Sequence, residues 1–227
     1  MSARVTRAST SSPRRQTRRD DPEARQRVIE AAVACILEQG FYRASSNEIA
    51  RRAGVTWGVI QHYFGTREKL LLAVLQDGAT HFAELVAASH VSGERADDRV
   101  EQLLDILAMH YGSPEYLAYL QILLNLEHDP DTGDEVRATM DDVARASTDH
   151  LRRLLRETLG PATGVADLAT TIFHVVRGFA LSQQLLLSMS YDLVATEADR
   201  AARQRRLLAA VVAPYLDAAS EPRPARR

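Results

Sequence analysis

The chain has 227 residues, 45% of them hydrophobic, and a formal net charge of −2, enough apolar matter for one large domain or for a small domain attached to a larger one. Its single cysteine, Cys35, excludes an internal disulfide and gives no sign of an oxidising compartment. The near-neutral balance hides an asymmetry: up to Leu75 there are 13 Arg and Lys against 7 Asp and Glu, and beyond it 15 against 23, so the front of the chain suits a polyanion such as nucleic acid.

In chain order, residues 1–21 are rich in Ser, Thr and Arg and poor in apolar groups, too poor to offset the entropy of ordering, and are expected to form a disordered basic arm. They lack the apolar central run of a signal peptide. From Pro22 to Gln39 the spacing of Val28, Ala31, Ala32, Cys35 and Ile36 predicts a first helix, with proline at its start and Gly40 past its end. Ser45 followed by Glu48 predicts a capping box opening a second, short helix, which Gly54 ends. Thr56 is positioned to cap a third, and Thr66 a fourth that runs through "REKLLLAVLQDGATHFAELVAAS".

The rest stays helical. Val100, Leu103, Leu104, Leu107 and Tyr111 mark a fifth helix; Ser113-Pro114 opens a sixth through Leu126; Val136 to Thr158 marks a seventh, ended by Gly160-Pro161. An eighth is expected at about 166–190 and a ninth from Thr196, weakening near Pro214. No stretch shows the period-two alternation of a strand. The apolar region 168–190 is interrupted by His174, Arg177, Gln183 and Gln184, which favours a buried helix over a membrane span. A soluble, cytoplasmic, all-α protein of about nine helices is the expectation.

Within 45–64, Ile49, Val55 and Ile60 fall where two short helices crossing steeply would bury them, Ala50 is small where backbones approach, and Gly54 makes the turn. This is helix-turn-helix spacing. With Ile60 and Phe64 inward, Thr56, Trp57, Gly58, Gln61 and His62 are left outside, with the reach and donors to contact base edges and phosphates. The competing reading has Trp57 and Tyr63 covering a neighbouring helix.

The segment "ASSNEIARRAGVTWGVIQHYFGTREKLLLAVL" resembles the DNA-binding domain of TetR-type transcriptional regulators, from Arg25 to about Leu75. The resemblance implies a helix-turn-helix head over residues 22–80, a ligand-binding and dimerising body over 81–219, and a short tail over 220–227. It implies a repressor that leaves a pseudo-palindromic operator when a small molecule binds the body. Carried over residue by residue, Ser45, Ser46 and Thr56 would contact phosphates, Asn47 a base, and Trp57, Gly58 and Val59 base edges; Gln61, His62 and Tyr63 would contact backbone or bases, and Arg67 a phosphate. Family members often have Lys or another polar residue at the position of Trp57 and Tyr at that of Gln61, so base preference does not transfer.

In the body, "YLAYLQILLNL" and "TIFHVVRGFALSQQLLLSM" are apolar on more than one face, and burying every face takes a second subunit; the family resemblance points to the eighth and ninth helices pairing in a homodimer. His110, Tyr111, Tyr116, Tyr119, Asn125, His128, His174 and Arg177 are polar or aromatic groups within apolar helices, candidates to line a cavity for a small-molecule effector. As an enzyme, the chain offers only "EHDPD" at 127–131 as metal ligands, without a second metal-spaced cluster, phosphate loop or nucleophile motif. Neither a metal, a cofactor nor a membrane is expected as partner. A helical adaptor for protein alone is the third reading, and the basic head counts against it.

Overall fold

The computed structural model describes residues 21–159, 170–179, 181–182 and 198–220, and all of its described secondary structure is helical. The expected arm before residue 21, the Gly160-Pro161 stop, most of the region expected to continue the eighth helix and the last seven residues lie outside the described residues.

Helix α1 (Pro22–Gln39) has the bounds its periodicity predicts, and Asp21, assigned to the arm by composition, is its N-cap, accepting from the Glu23 amide at 3.0 Å. Helices α2 (Ser46–Ala53), α3 (Trp57–Phe64) and α4 (Arg67–Ala88) follow through short connections. Then come α5 (Ala96–Tyr111), α6 (Pro114–His128) and α7 (Asp134–Leu159). At the start of α6, Ser113 accepts from the Tyr116 amide, and proline occupies the first helical position, where its missing N–H costs nothing. Residues 170–179 are helical and form α8, and α9 spans Ala198–Ser220.

The last helix departs from expectation, because it runs through Pro214 to Ser220. Proline removes the bond to the carbonyl of Ala210, and both residues are exposed, so water can satisfy the freed group.

Two hydrophobic clusters organise the molecule. The first joins Val28, Ala32, Cys35 and Ile36 of α1 to Ile49, Ile60, Phe64, Leu70, Leu71 and Val74, and continues into Ala118, Ile122 and Leu126 of α6 and Val136 and Met140 of α7. The second gathers Phe82 and Val86 with Val100, Leu103, Leu104, Leu107, Leu151, Leu154, Ile172, Val176, Ala209 and Val212. Each fully buried Val, Leu, Ile or Phe among them stabilises the fold by about 1.5–3 kcal/mol.

Helix α4 belongs to both clusters and crosses the expected boundary at residue 80 unbroken. The head therefore shares its core with α6 and α7. Among the described residues, α4 is the one helix long and apolar enough to cross a membrane; here it is packed against α1, α6 and α7.

Candidate nucleic-acid interface

Helix α2 begins where Ser45 Oγ accepts from the Glu48 amide at 3.3 Å. Only half of the expected capping box forms, because the Glu48 carboxylate turns instead to Arg51 Nε at 2.9 Å and Gln39 Nε2 at 3.3 Å. The Arg51 guanidinium holds that carboxyl well below the usual range. The helix ends at Gly54 in the left-handed conformation, φ 67° and ψ 30°. The Val55 amide donates to the Ala50 carbonyl at 3.0 Å and the Gly54 amide to Arg51 at 3.3 Å, the paired closure for which glycine is preferred. That closure sets the angle at which α3 leaves.

On α3, Ile60 and Phe64 are buried and half-buried Val55 packs beside them. Trp57, Gly58, Gln61 and His62 are exposed, and at spacings of one, four and five residues they share one face. Trp57 is 39% exposed, so part of its surface reaches solvent while the larger part is covered by the protein. Thr56 occupies the N-cap position, but contrary to expectation its side chain makes no cap hydrogen bond. The first amides of α3, which have no intrahelical partners, are left without that acceptor.

The remaining expected contacts divide. Ser45, Asn47 and Thr56 are exposed, while Ser46 and Val59 are half-buried. Tyr63 is turned inward: its hydroxyl accepts from the Asp21 amide at 2.7 Å and donates to the Asp21 carbonyl at 3.0 Å. Arg67 is also engaged within the protein, donating to the carbonyls of Phe41 at 3.1 Å and Ala44 at 3.4 Å and lying 4.7 Å from the Phe41 ring centroid. Burial pushes its pKa down. Tyr63 and Arg67, both half-buried, thus anchor the head from within: one fixes the entry to α1, the other the α1–α2 loop.

That loop presents two groups the sequence reading passed over. Tyr42 is 87% exposed, and Arg43, two residues before Ser45, is exposed beside it. The signal for Arg43 was its charge immediately ahead of the α2 cap.

In the body, His110, Tyr111, Tyr116, Tyr119 and Arg177 line one cavity of about 210 Å³ between α4, α5, α6, α7 and α8, together with Phe82, Phe173 and Ser147. A larger groove, about 520 Å³, runs between α1, α4 and the α5–α6 corner; Gly78, His110 and Tyr119 contribute to both. Three expected lining residues fall elsewhere. The Asn125 amide donates to the Gln121 carbonyl at 2.7 Å, a His128 ring nitrogen lies 2.8 Å from the Leu124 carbonyl at the exposed end of α6, and His174 is exposed on α8. Each sits a step around its helix from the cavity face. Phe82 and Phe173 line the same cavity; as wholly apolar residues in apolar helices they carry no sequence signal that separates them from ordinary core.

The "EHDPD" segment is a helix stop. Arg137 donates to the carbonyls of Glu127 at 2.8 Å, Asp129 at 2.6 Å and Thr132 at 3.3 Å, and Asp129 Oδ1 accepts from the Asp131 amide at 2.9 Å.

A helical head with this turn thus stands on a helical body that borders a cavity. Residues 28–74 match the profile of the bacterial regulatory proteins of the tetR family. The head is thus similar to the DNA-binding domain of TetR-family regulators over residues 28–74. The chain is 43% identical over 68 residues to the HTH-type transcriptional regulator BetI 2 of Chromohalobacter salexigens, a match covering 30% of this chain and 33% of that protein. It is 25% identical over 152 residues to the HTH-type transcriptional repressor AcnR of Corynebacterium efficiens, covering 67% and 74%.

Among solved structures, the fold matches the Bacillus subtilis regulator FadR in complex with stearoyl-CoA, with a TM-score of 0.57 and 19% identity over 87% of this chain and 99% of that one. It also matches a Saccharomonospora viridis regulator in complex with choline, with a TM-score of 0.62 and 17% identity over 83% and 96%. The chain spans about a third, 33%, of the length of the BetI 2 regulator it matches.

Proposed function

We propose that the protein is a sequence-specific DNA-binding repressor, acting as a homodimer on a pseudo-palindromic duplex and released by a small molecule held in the α4–α8 cavity. The observation that carries this reading is the division of α3: Ile60 and Phe64 pin it to the core while Trp57, Gly58, Gln61 and His62 face outward together. A short helix so held can enter the major groove with its side chains against base edges. Ser45, Ser46, Thr56 and Arg43 take the phosphates, Asn47 reaches a base, and Val59 lies against a thymine methyl. DNA as partner places this work in the cytoplasm.

Dimerisation is supported by apolar groups left exposed on the last two helices: Val175 of α8 and Leu207 and Val211 of α9. Pairing these faces in a two-fold dimer covers them and sets two α3 helices on one duplex. Release by an effector has a physical route through α4, whose Leu70, Leu71 and Val74 sit in the core of the head while its Leu75, Gly78 and Phe82 line the cavity. A ligand that shifts α4 alters the spacing of the heads. AcnR is a repressor by name, and FadR and the S. viridis regulator hold stearoyl-CoA and choline respectively, which supports a ligand-responsive reading without fixing the ligand.

The test is a salt titration of full-length protein on duplex DNA. Affinity is expected to fall steeply and linearly on a logarithmic scale, by counterion release; a salt-independent or undetectable interaction overturns the reading in favour of an adaptor or an enzyme.

A further inference from the structure

The α4–α8 cavity contains one full charge. Arg177 enters from α8 with its guanidinium carbon 5.7 Å from the ring centroids of both Tyr116 and Phe173. No aspartate or glutamate is among the lining residues, and among the described residues Arg177 forms no ion pair. A guanidinium facing a mostly apolar space is offset only in part by ring faces and by its hydrogen bond with the neutral Tyr116 hydroxyl. An acidic group would complete the arrangement with two parallel charge-assisted hydrogen bonds.

The neighbouring titratable groups do not cancel this charge. Desolvation pushes the His110 imidazole down to about 4, so it is neutral near pH 7, and pushes the Tyr116 hydroxyl up to about 12. A cationic ligand would meet Arg177 already lying over the two rings that would otherwise receive it.

Size and shape narrow the class. A cavity of roughly 150 Å³ holds benzene, so about 210 Å³ admits roughly eight or nine non-hydrogen atoms by the same scale. One side of it is built of edge-to-face aromatic pairs, Tyr111 with Tyr116 at 4.9 Å and 85° and Tyr111 with Phe173 at 5.6 Å and 75°, an arrangement that accepts a flat ring as one more member. Resting on the reading of this cavity as the effector site, we propose that the effector is a small single-ring aromatic carboxylate whose carboxylate pairs with Arg177.

Calorimetric titration of the full-length protein with benzoate, benzamide and benzamidine compares an anion, a neutral isostere and a cation of one shape. Benzoate is expected to bind once per chain, benzamide at least about tenfold more weakly, the loss of one charged hydrogen-bonding partner, and benzamidine not at all. Arg177→Gln should remove the preference for benzoate over benzamide, with circular dichroism confirming the fold. The three-ligand comparison on the unaltered protein needs no variant. Benzamide or benzamidine binding as tightly as benzoate overturns the anionic class and leaves the cavity as an effector site. Absence of heat from all three overturns the inference and the cavity reading together.

Discussion

Gly78 of α4 and Tyr119 of α6 meet without room for one more methyl: a Cβ at position 78 would stand 2.7 Å from Cε2 and Cζ of the tyrosine ring. The ring also borders both the groove and the inner cavity, so it has space to swing. Gly78→Ala gains about 1 kcal/mol of helix propensity against about 1–3 kcal/mol for displacing a packed ring. We predict a net loss of about 1 kcal/mol that turns into a gain in a Tyr119→Leu background. Urea unfolding of the two single variants and the double variant reads the coupling; simple additivity would contradict the contact.

The Tyr63 hydroxyl closes on Asp21 with two hydrogen bonds, 2.7 and 3.0 Å. Tyr63→Phe is predicted to cost about 1–2 kcal/mol while leaving the salt slope of duplex binding unchanged, since no phosphate contact is lost. A slope flattened by about one would return Tyr63 to the DNA face.

Arg67→Ala strips the Phe41 and Ala44 carbonyls of a charged donor and is predicted to destabilise the protein by about 2 kcal/mol. Arg67→Lys should rescue only in part, because an ammonium can donate to the two carbonyls that Nη2 serves but has no planar face to lie over Phe41. Full rescue by lysine in thermal unfolding would show that charge alone matters there.

The head was legible in the sequence almost to the residue. Its elements are short and locally determined: Asp21, Ser45 and Thr66 accept cap hydrogen bonds from the amides that follow, and Gly54 takes the left-handed turn. What escaped was long-range. Nothing near Tyr63 in sequence announces a bond to a residue 42 positions earlier, nor does the charge of Arg67 reveal that carbonyls 23 and 26 positions back would claim it. The same limit explains the body. His110, Tyr111, Tyr116, Tyr119 and Arg177 converge on one cavity while Asn125, His128 and His174 do not, and which side of a helix faces the cavity depends on how five helices pack.

His110 titrates in a way that stability should register. Its folded pKa is lowered to about 4 by desolvation, against an ordinary value of 6.5. The unfolded chain therefore binds the proton more readily, so this contribution is complete above about pH 6.5 and is lost as pH falls toward about 4. The expected loss is on the order of 1–3 kcal/mol. Equilibrium unfolding across that range should show His110→Phe with a shallower acid slope than the unaltered protein; identical slopes would mean that the imidazole is hydrated in the folded state.

The central claim is that the exposed face of α3 reads bases, and selection from a pool of random duplexes tests it most directly. The unaltered protein should enrich a pseudo-palindrome whose guanine N7 positions are protected in half-sites about one helical turn apart, while Trp57→Ala and Gln61→Ala should enrich altered half-sites with general duplex affinity little changed. Recovery of one and the same sequence, at equal affinity, by all three proteins would contradict it.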